Sequence, residues 1–127
     1  MIVEGYVKLV VRLDTSRTEG QIRIRMAALE QTCRDRLQAV IASDPQTTLD
    51  AWSYRLRIAV RGGYGEVYPK LVWTLDTTRT ARQIRDVLEP LFDVLKADIR
   101  ALVATDPQTA IVGWHVHRAH GCFDEEP

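Results

Sequence analysis

Leu13-Asp14-Thr15-Ser16-Arg17-Thr18 recurs 62 residues later as Leu75-Asp76-Thr77-Thr78-Arg79-Thr80. The same offset carries Glu4, Tyr6 and Lys8 onto Glu66, Tyr68 and Lys70, and Gln21-Ile22-Arg23 onto Gln83-Ile84-Arg85. It also carries Asp44-Pro45-Gln46-Thr47 onto Asp106-Pro107-Gln108-Thr109, and Trp52 onto Trp114. Residues 4–52 and 66–114 align without a gap, with 21 identities in 49 positions. A self-match at one fixed period marks a chain built from two copies of a unit. The 127 residues therefore read as a single domain of two repeats, about 4–61 and about 66–123, with an acidic tail at 124–127.

Within each unit the hydrophobic pattern changes period. From Tyr6 to Leu13, Val7, Leu9, Val11 and Leu13 share one parity, while Tyr6, Lys8, Val10 and Arg12 share the other. A period of two predicts a half-buried strand. Thr18 and Gln21, like Thr80 and Gln83, have the spacing of a capping box, in which hydroxyl and amide each satisfy a backbone N–H at a helix start. Behind the first cap, Ile22, Met26, Leu29, Cys33, Leu37 and Val40 follow helical spacing. Behind the second, Ile84, Leu88, Leu91, Leu95, Ile99 and Leu102 occupy the equivalent positions. Each set predicts a long helix buried along one stripe. Pro90 falls inside the second helix, where its missing N–H predicts a kink.

Asp44-Pro45 and Asp106-Pro107 end the helices, because the residue before proline avoids the helical region. Alternation resumes at Trp52, Tyr54, Leu56, Ile58 and Val60, and Gly62-Gly63-Tyr64-Gly65 provides a hairpin connection into the second unit. The terminal Asp124-Glu125-Glu126-Pro127 predicts a frayed end.

Two β-α-β units joined by a hairpin give the string βαββαβ, which resembles the ferredoxin-like split-βαβ sandwich, an α+β fold. The resemblance implies a four-stranded antiparallel sheet with two long helices on one face. The strands that open each unit would lie at its centre, related by a pseudo-twofold axis. Such a scaffold carries no function of its own, so function must be sought in the side chains. In this layout the first strand-to-helix turn meets the second Asp-Pro turn, placing Arg17 near Asp106 and, by symmetry, Arg79 near Asp44. Two exposed ion pairs of this kind would each contribute at most about 1 kcal/mol. The repeated loops lack the glycines that wrap a phosphate and read as caps. Trp52 and Trp114 share the parity of the core.

Lysine plus arginine and aspartate plus glutamate number 17 each, giving zero net charge, so no whole-molecule field draws a polyanion. No apolar run approaches the roughly 20 residues of a membrane span, and no secretory pattern opens the chain. Cys33 and Cys122 lack ligand spacing to each other, which points to a reducing compartment, the cytoplasm. Cys33 lies in a helix stripe and reads as an inert core thiol. No Ser-His-Asp arrangement, Cys-His arrangement or converging carboxylate pair emerges. No catalytic residue is assigned, and the chain reads as non-enzymatic.

The sheet face away from the helices carries the chemistry. Parity places there Glu4, Tyr6, Lys8, Val10 and Arg12, then Glu66, Tyr68, Lys70, Val72 and Thr74 from the equivalent strand. Ser53, Arg55, Arg57, Ala59 and Arg61 join them, as do Ile111, Gly113, His115 and His117. Basic residues outnumber acidic ones on this face. Val10, Val72, Ile111 and the tyrosine rings form an apolar strip that stacked sheets of a homodimer, or a protein partner, would cover. Val87, Phe92 and Val94 offer a further contact surface. A binding or assembly module acting through Tyr6, Lys8, Arg12, Arg55, Arg57, Arg61, Tyr68 and Lys70 is the leading expectation.

Tyrosines on central strands flanked by cations also resemble the base-stacking platform of the RNA-recognition-motif family, which implies single-stranded RNA or DNA on the same face. Gly63-Tyr64-Gly65-Glu66-Val67 resembles that family's signature, with Glu66 and Pro69 standing where aromatic residues belong. His115-Val116-His117 puts two imidazoles on one strand face, with His120 and Cys122 beyond, a pattern able to chelate zinc. The same triplet resembles the metal motif of HUH-type nucleases, which implies a nucleophilic tyrosine presented from a helix. Neither helix carries one, and Tyr6 is the nearest substitute.

Overall fold

The computed structural model describes residues 1–118 and 121–127. Chain order is β1 (Ile2–Thr15), α1 (Glu19–Arg25), α2 (Leu29–Ala42), β2 (Thr47–Arg61), β3 (Tyr64–Thr77), α3 (Ala81–Leu88), α4 (Pro90–Ala104), β4 (Thr109–Arg118) and β5 (Gly121–Glu125). The strands form one antiparallel sheet in the order β2-β3-β1-β4-β5, with β1 and β3 paired near the centre. Without β5 this is the ferredoxin-like order. The expected four-stranded sheet is corrected to five, because the acidic end is not frayed. β5 runs beside β4 with Trp114 opposite Glu125 and His117 opposite Cys122.

Each long helix is also two segments. Both capping boxes form, at Thr18 with Gln21 and at Thr80 with Gln83. The first arm then loosens over residues 26–28. In the second arm Pro90 opens α4, where its absent N–H costs no hydrogen bond. The buried stripes follow the expected positions, and at their ends Val40 and Leu102 pack half-buried against the core beside the more deeply buried Ile41 and Val103. Phe92, expected on an outer surface, is buried beneath the Arg118 guanidinium.

Val7, Leu9, Val11 and Leu13 of β1, with Val67, Leu71, Trp73 and Leu75 of β3, floor the core under the helices. Trp114 is fully buried there, and Trp52 packs at the margin. Gly62 and Gly63 both adopt positive φ, as a two-residue hairpin turn requires. Opposite Trp73 on the neighbouring strand stands Gly5, and a Cβ there would come within 2.7 Å of the indole nitrogen. A register shift between Arg12 and Leu13 sets Ile111 opposite Leu13. Ile111 therefore packs against the core and leaves the open face where parity had put it.

The repeated motif builds two equivalent clamps. Asp106 accepts from Arg17 Nη2 at 2.9 Å, from the Gln108 N–H at 3.0 Å and from Thr109 Oγ1 at 2.7 Å, with Arg25 Nε at 3.3 Å. Asp44 accepts from Arg79 Nε at 2.7 Å, from the Gln46 N–H at 3.1 Å and from Thr47 Oγ1 at 2.7 Å. Hydroxyl pairs Thr15–Thr109 and Thr47–Thr77 then cross between strands at 2.7 and 2.8 Å. Both ion pairs join the residues expected, but neither is an exposed pair, since Asp44 and Asp106 are buried. Burial raises the stakes, because removing one partner leaves an uncompensated charge inside the protein.

Hydrogen bonds from Arg79 and Arg17 hold the Asp44 and Asp106 carboxyls well below the usual carboxylate range. A depressed folded pKa means that the clamps stabilise the fold above the ordinary aspartate value, about 3.9. Their contribution disappears as pH falls through the lower folded value. Replacing both aspartates with asparagine is expected to lower stability at neutral pH and to flatten its loss below about pH 4. Denaturant titrations across that range test this, and an unchanged pH slope would contradict it. Gly5→Ala is expected to cost about 1–3 kcal/mol through overpacking against Trp73, read as a lower urea midpoint at constant m-value.

Candidate functional site

The open face brings together the eight residues marked out by parity. Register aligns them into a ladder, with Arg55 opposite Lys70, Lys70 opposite Lys8, and Lys8 opposite His117. Like charges directly opposite one another oppose sheet formation. The lysines relieve this by leaning diagonally onto tyrosines. Lys8 Nζ lies 4.9 Å from the Tyr68 ring centre, and Lys70 Nζ lies 5.2 Å from that of Tyr6. The two contacts exchange under the internal pseudo-twofold, as the sequence repeat requires.

Tyr6 is 51% exposed, and Arg55, Arg57 and Arg61 are exposed beside it. Among the described residues, Lys8, Arg55, Arg57, Arg61 and Lys70 form no ion pair. Arg12 differs from them. It donates to Asp124 at 3.2 Å and so is committed to β5. Glu66 accepts from the Tyr64 hydroxyl at 2.9 Å. With Ile111 turned inward, Val10 and Val72 are what remains of the expected aliphatic strip, both half-buried.

The histidines lie at the other end of the ladder. His115 and His117 pack edge to face with ring centres 4.9 Å apart, and Cys122 Sγ is 3.0 Å from His117 Nδ1. One ligand atom from each of His115, His117 and Cys122 fits within 4.8 Å of the others. His120, the remaining expected ligand, lies outside the described residues. Burial, helped by Lys8 and His115, lowers the His117 pKa, so the ring is neutral at neutral pH. Asp124 accepts from His115 Nδ1 at 2.8 Å, and that bond, with Arg12, holds its carboxyl below its usual value. His117 and Cys122 also rim a cleft of about 440 Å³ whose lining includes Trp73, Ile84 and Leu88. Cys33 behaves as expected of a core thiol, with burial, Asp98 and Glu30 pushing it up to about 12.

The acidic anchors of β5 were not foreseen. Lys96 is buried in α4, its ammonium 2.6 Å from Glu125 Oε2 and 5.2 Å from the Trp114 ring centre. Arg118 donates to Glu89, Asp93 and Glu125 while covering Phe92. The available signal was Lys96 itself, four residues after Phe92 and three before Ile99 on a core-facing side. A lysine so placed demands a carboxylate, and the tail supplies it.

No protein-family profile and no curated protein sequence matches the chain. Among solved structures it is similar to a de novo designed protein, Foldit4, at 14% identity over 86% of this chain and 91% of that one, with a TM-score of 0.44. It is similar also to the de novo designed protein LFR1 1 with ferredoxin fold, at 14% identity over 91% of this chain and 88% of that one, with a TM-score of 0.41. The ferredoxin-like assignment rests on this chain's own strand order. Among the described residues, no helix is long and apolar enough to cross a membrane.

Because Glu125 neutralises a buried ammonium, Glu125→Gln is expected to destabilise the protein more than Lys96→Met, and the double variant should recover most of the difference. Thermal or urea unfolding of the three variants reads this order. Equal losses in Glu125→Gln and Lys96→Met would contradict it.

Proposed function

We propose that the protein is a non-enzymatic binding module whose open sheet face takes single-stranded nucleic acid. The observation that carries this is the ladder Arg55–Lys70–Lys8, three adjacent cations without acidic partners among the described residues, its two lysines laid over Tyr68 and Tyr6. A polyanion lying across the strands would neutralise the ladder and release condensed counterions. As phosphates draw the lysines off the rings, each tyrosine face becomes available to a base. Stacking of that kind contributes about 1–3 kcal/mol per base. The exposed Arg57 and Arg61 extend the positive track along β2. Two free cysteines fit a reducing compartment such as the cytoplasm.

Self-association through the same face, or capture of a protein partner, is the competing use of these residues. It draws on Val10, Val72 and the exposed ring of Tyr6, and it loses Ile111 to the core. The two uses exclude each other, since a sheet-stacked dimer would cover the tyrosines.

Anisotropy of a labelled single-stranded oligonucleotide, beside light scattering of the free protein, separates them. Tyr68→Ala is expected to weaken binding by about 5–150-fold, the loss of one stacked base. Lys8→Gln should reduce the dependence of log K on log salt by about 0.7, one phosphate contact on a single strand. Wild-type affinity in Lys8→Glu/Lys70→Glu would sink the proposal. A wild-type dimer that Tyr6→Glu/Tyr68→Glu makes monomeric would assign the face to assembly instead.

A further inference from the structure

We infer that His115, His117 and Cys122 form a zinc-class divalent-cation site on the outer edge of the sheet. Three features of the fold build it. Residues two apart on β4 put both imidazoles on the open face, 4.9 Å apart. The pairing of β4 with β5 sets Cys122 directly opposite His117, bringing the sulfur to 3.0 Å from Nδ1. The three ligand atoms already lie within 4.8 Å of one another. Tetrahedral zinc, with bonds of about 2.0–2.3 Å, needs its ligand atoms roughly 3.3–3.8 Å apart. Side-chain rotation supplies that adjustment, with the sulfur moving outward and the rings inward while the paired backbone stays fixed.

The fourth feature is a carboxylate that orients a ligand. Asp124 occupies Nδ1 of His115, so Nε2 is the nitrogen left to ligate. Arg12 in turn fixes Asp124 at 3.2 Å. A carboxylate that holds a metal-bound imidazole in one tautomer is the common outer partner of zinc histidines. Imidazole with thiolate selects zinc-like ions over magnesium or calcium, which prefer oxygen. On binding, Cys122 gives its thiol proton to solvent and ligates as thiolate. Among the described residues these three are the ligands, and a tetrahedral ion has a fourth position for water or a further ligand. The site belongs to one repeat, for the first repeat has Ser53 and Arg55 where the histidines stand.

Tag-free, reduced, full-length protein is titrated with Co²⁺, then with Zn²⁺ in competition, in the absence of nucleic acid. One equivalent of Co²⁺ is expected to give the visible bands of a tetrahedral ion and a thiolate charge-transfer band, both displaced by Zn²⁺. Cys122→Ser should abolish the charge-transfer band. His115→Ala or His117→Ala should weaken binding at least tenfold, and Asp124→Asn about 10–100-fold at unchanged stoichiometry. Zn²⁺ should also slow alkylation of Cys122 in the wild type, a readout that needs no variant to fold, while buried Cys33 stays unmodified. Absence of the charge-transfer band, or an alkylation rate indifferent to Zn²⁺, overturns the site. Either result leaves the nucleic-acid reading standing, because that reading depends on Lys8, Lys70 and the tyrosines.

Discussion

Asp44 and Asp106 are carboxylates held inside the protein, and each reaches satisfaction only with groups from both repeats. Asp44 needs Arg79, and Asp106 needs Arg17, while the threonine hydroxyls bridge the strands beneath them. A charge removed from water is tolerated only where every lone pair has a donor. Neither repeat can meet that demand alone. The clamps fix which turn meets which, tying β1 to β4 and β3 to β2 on either side of the central pair. The lysine ladder and the histidine pair inherit their registers from that arrangement.

Much of this was legible because duplication writes every local rule twice. One capping box is a weak signal, whereas two at a fixed offset, each followed by the same apolar stripe, leave little freedom in the topology. The partners Arg17–Asp106 and Arg79–Asp44 followed from symmetry, and so did the shared face of Tyr6 and Tyr68. What parity could not reveal was a departure from regular pairing. A single register shift beside Arg12 turned Ile111 through the sheet, since one residue of slip exchanges the faces. At the stripe ends Val40 and Leu102 pack against the core half-buried, while their neighbours Ile41 and Val103 go deeper. Near a helix terminus the choice between a step of three and a step of four belongs to packing.

The fifth strand was hidden by its composition. Asp124, Glu125 and Glu126 look like a solvated tail when taken alone, and the repeat offers no counterpart for comparison. The role of Glu125 depends on Lys96 in α4, far away in sequence. The two halves show what the difference achieves: Arg34 lies 5.3 Å from the Trp52 ring centre at the surface, whereas its counterpart Lys96 lies at a similar distance from Trp114 but under cover. An exposed cation over an indole needs no counter-charge. A covered one does, and β5 brings it. The same strand delivers Cys122 and Asp124 to the histidines, so an electrostatic requirement on one side of the sheet sets out the ligands on the other.

The pseudo-twofold between Lys8 and Lys70 has a consequence for direction. A ligand with a head and a tail, laid across β1 and β3, meets a lysine and a tyrosine in the same relation whichever way it runs. The central platform is therefore blind to polarity. The differences lie around that pair of lysines and tyrosines, with Arg12 on β1 where β3 has Thr74, Arg55 and Arg57 on one flank, and His115, His117 and Asp124 on the other. On the proposed binding reading, the orientation of a bound chain would be dictated by these differences, of which the extra strand is the largest.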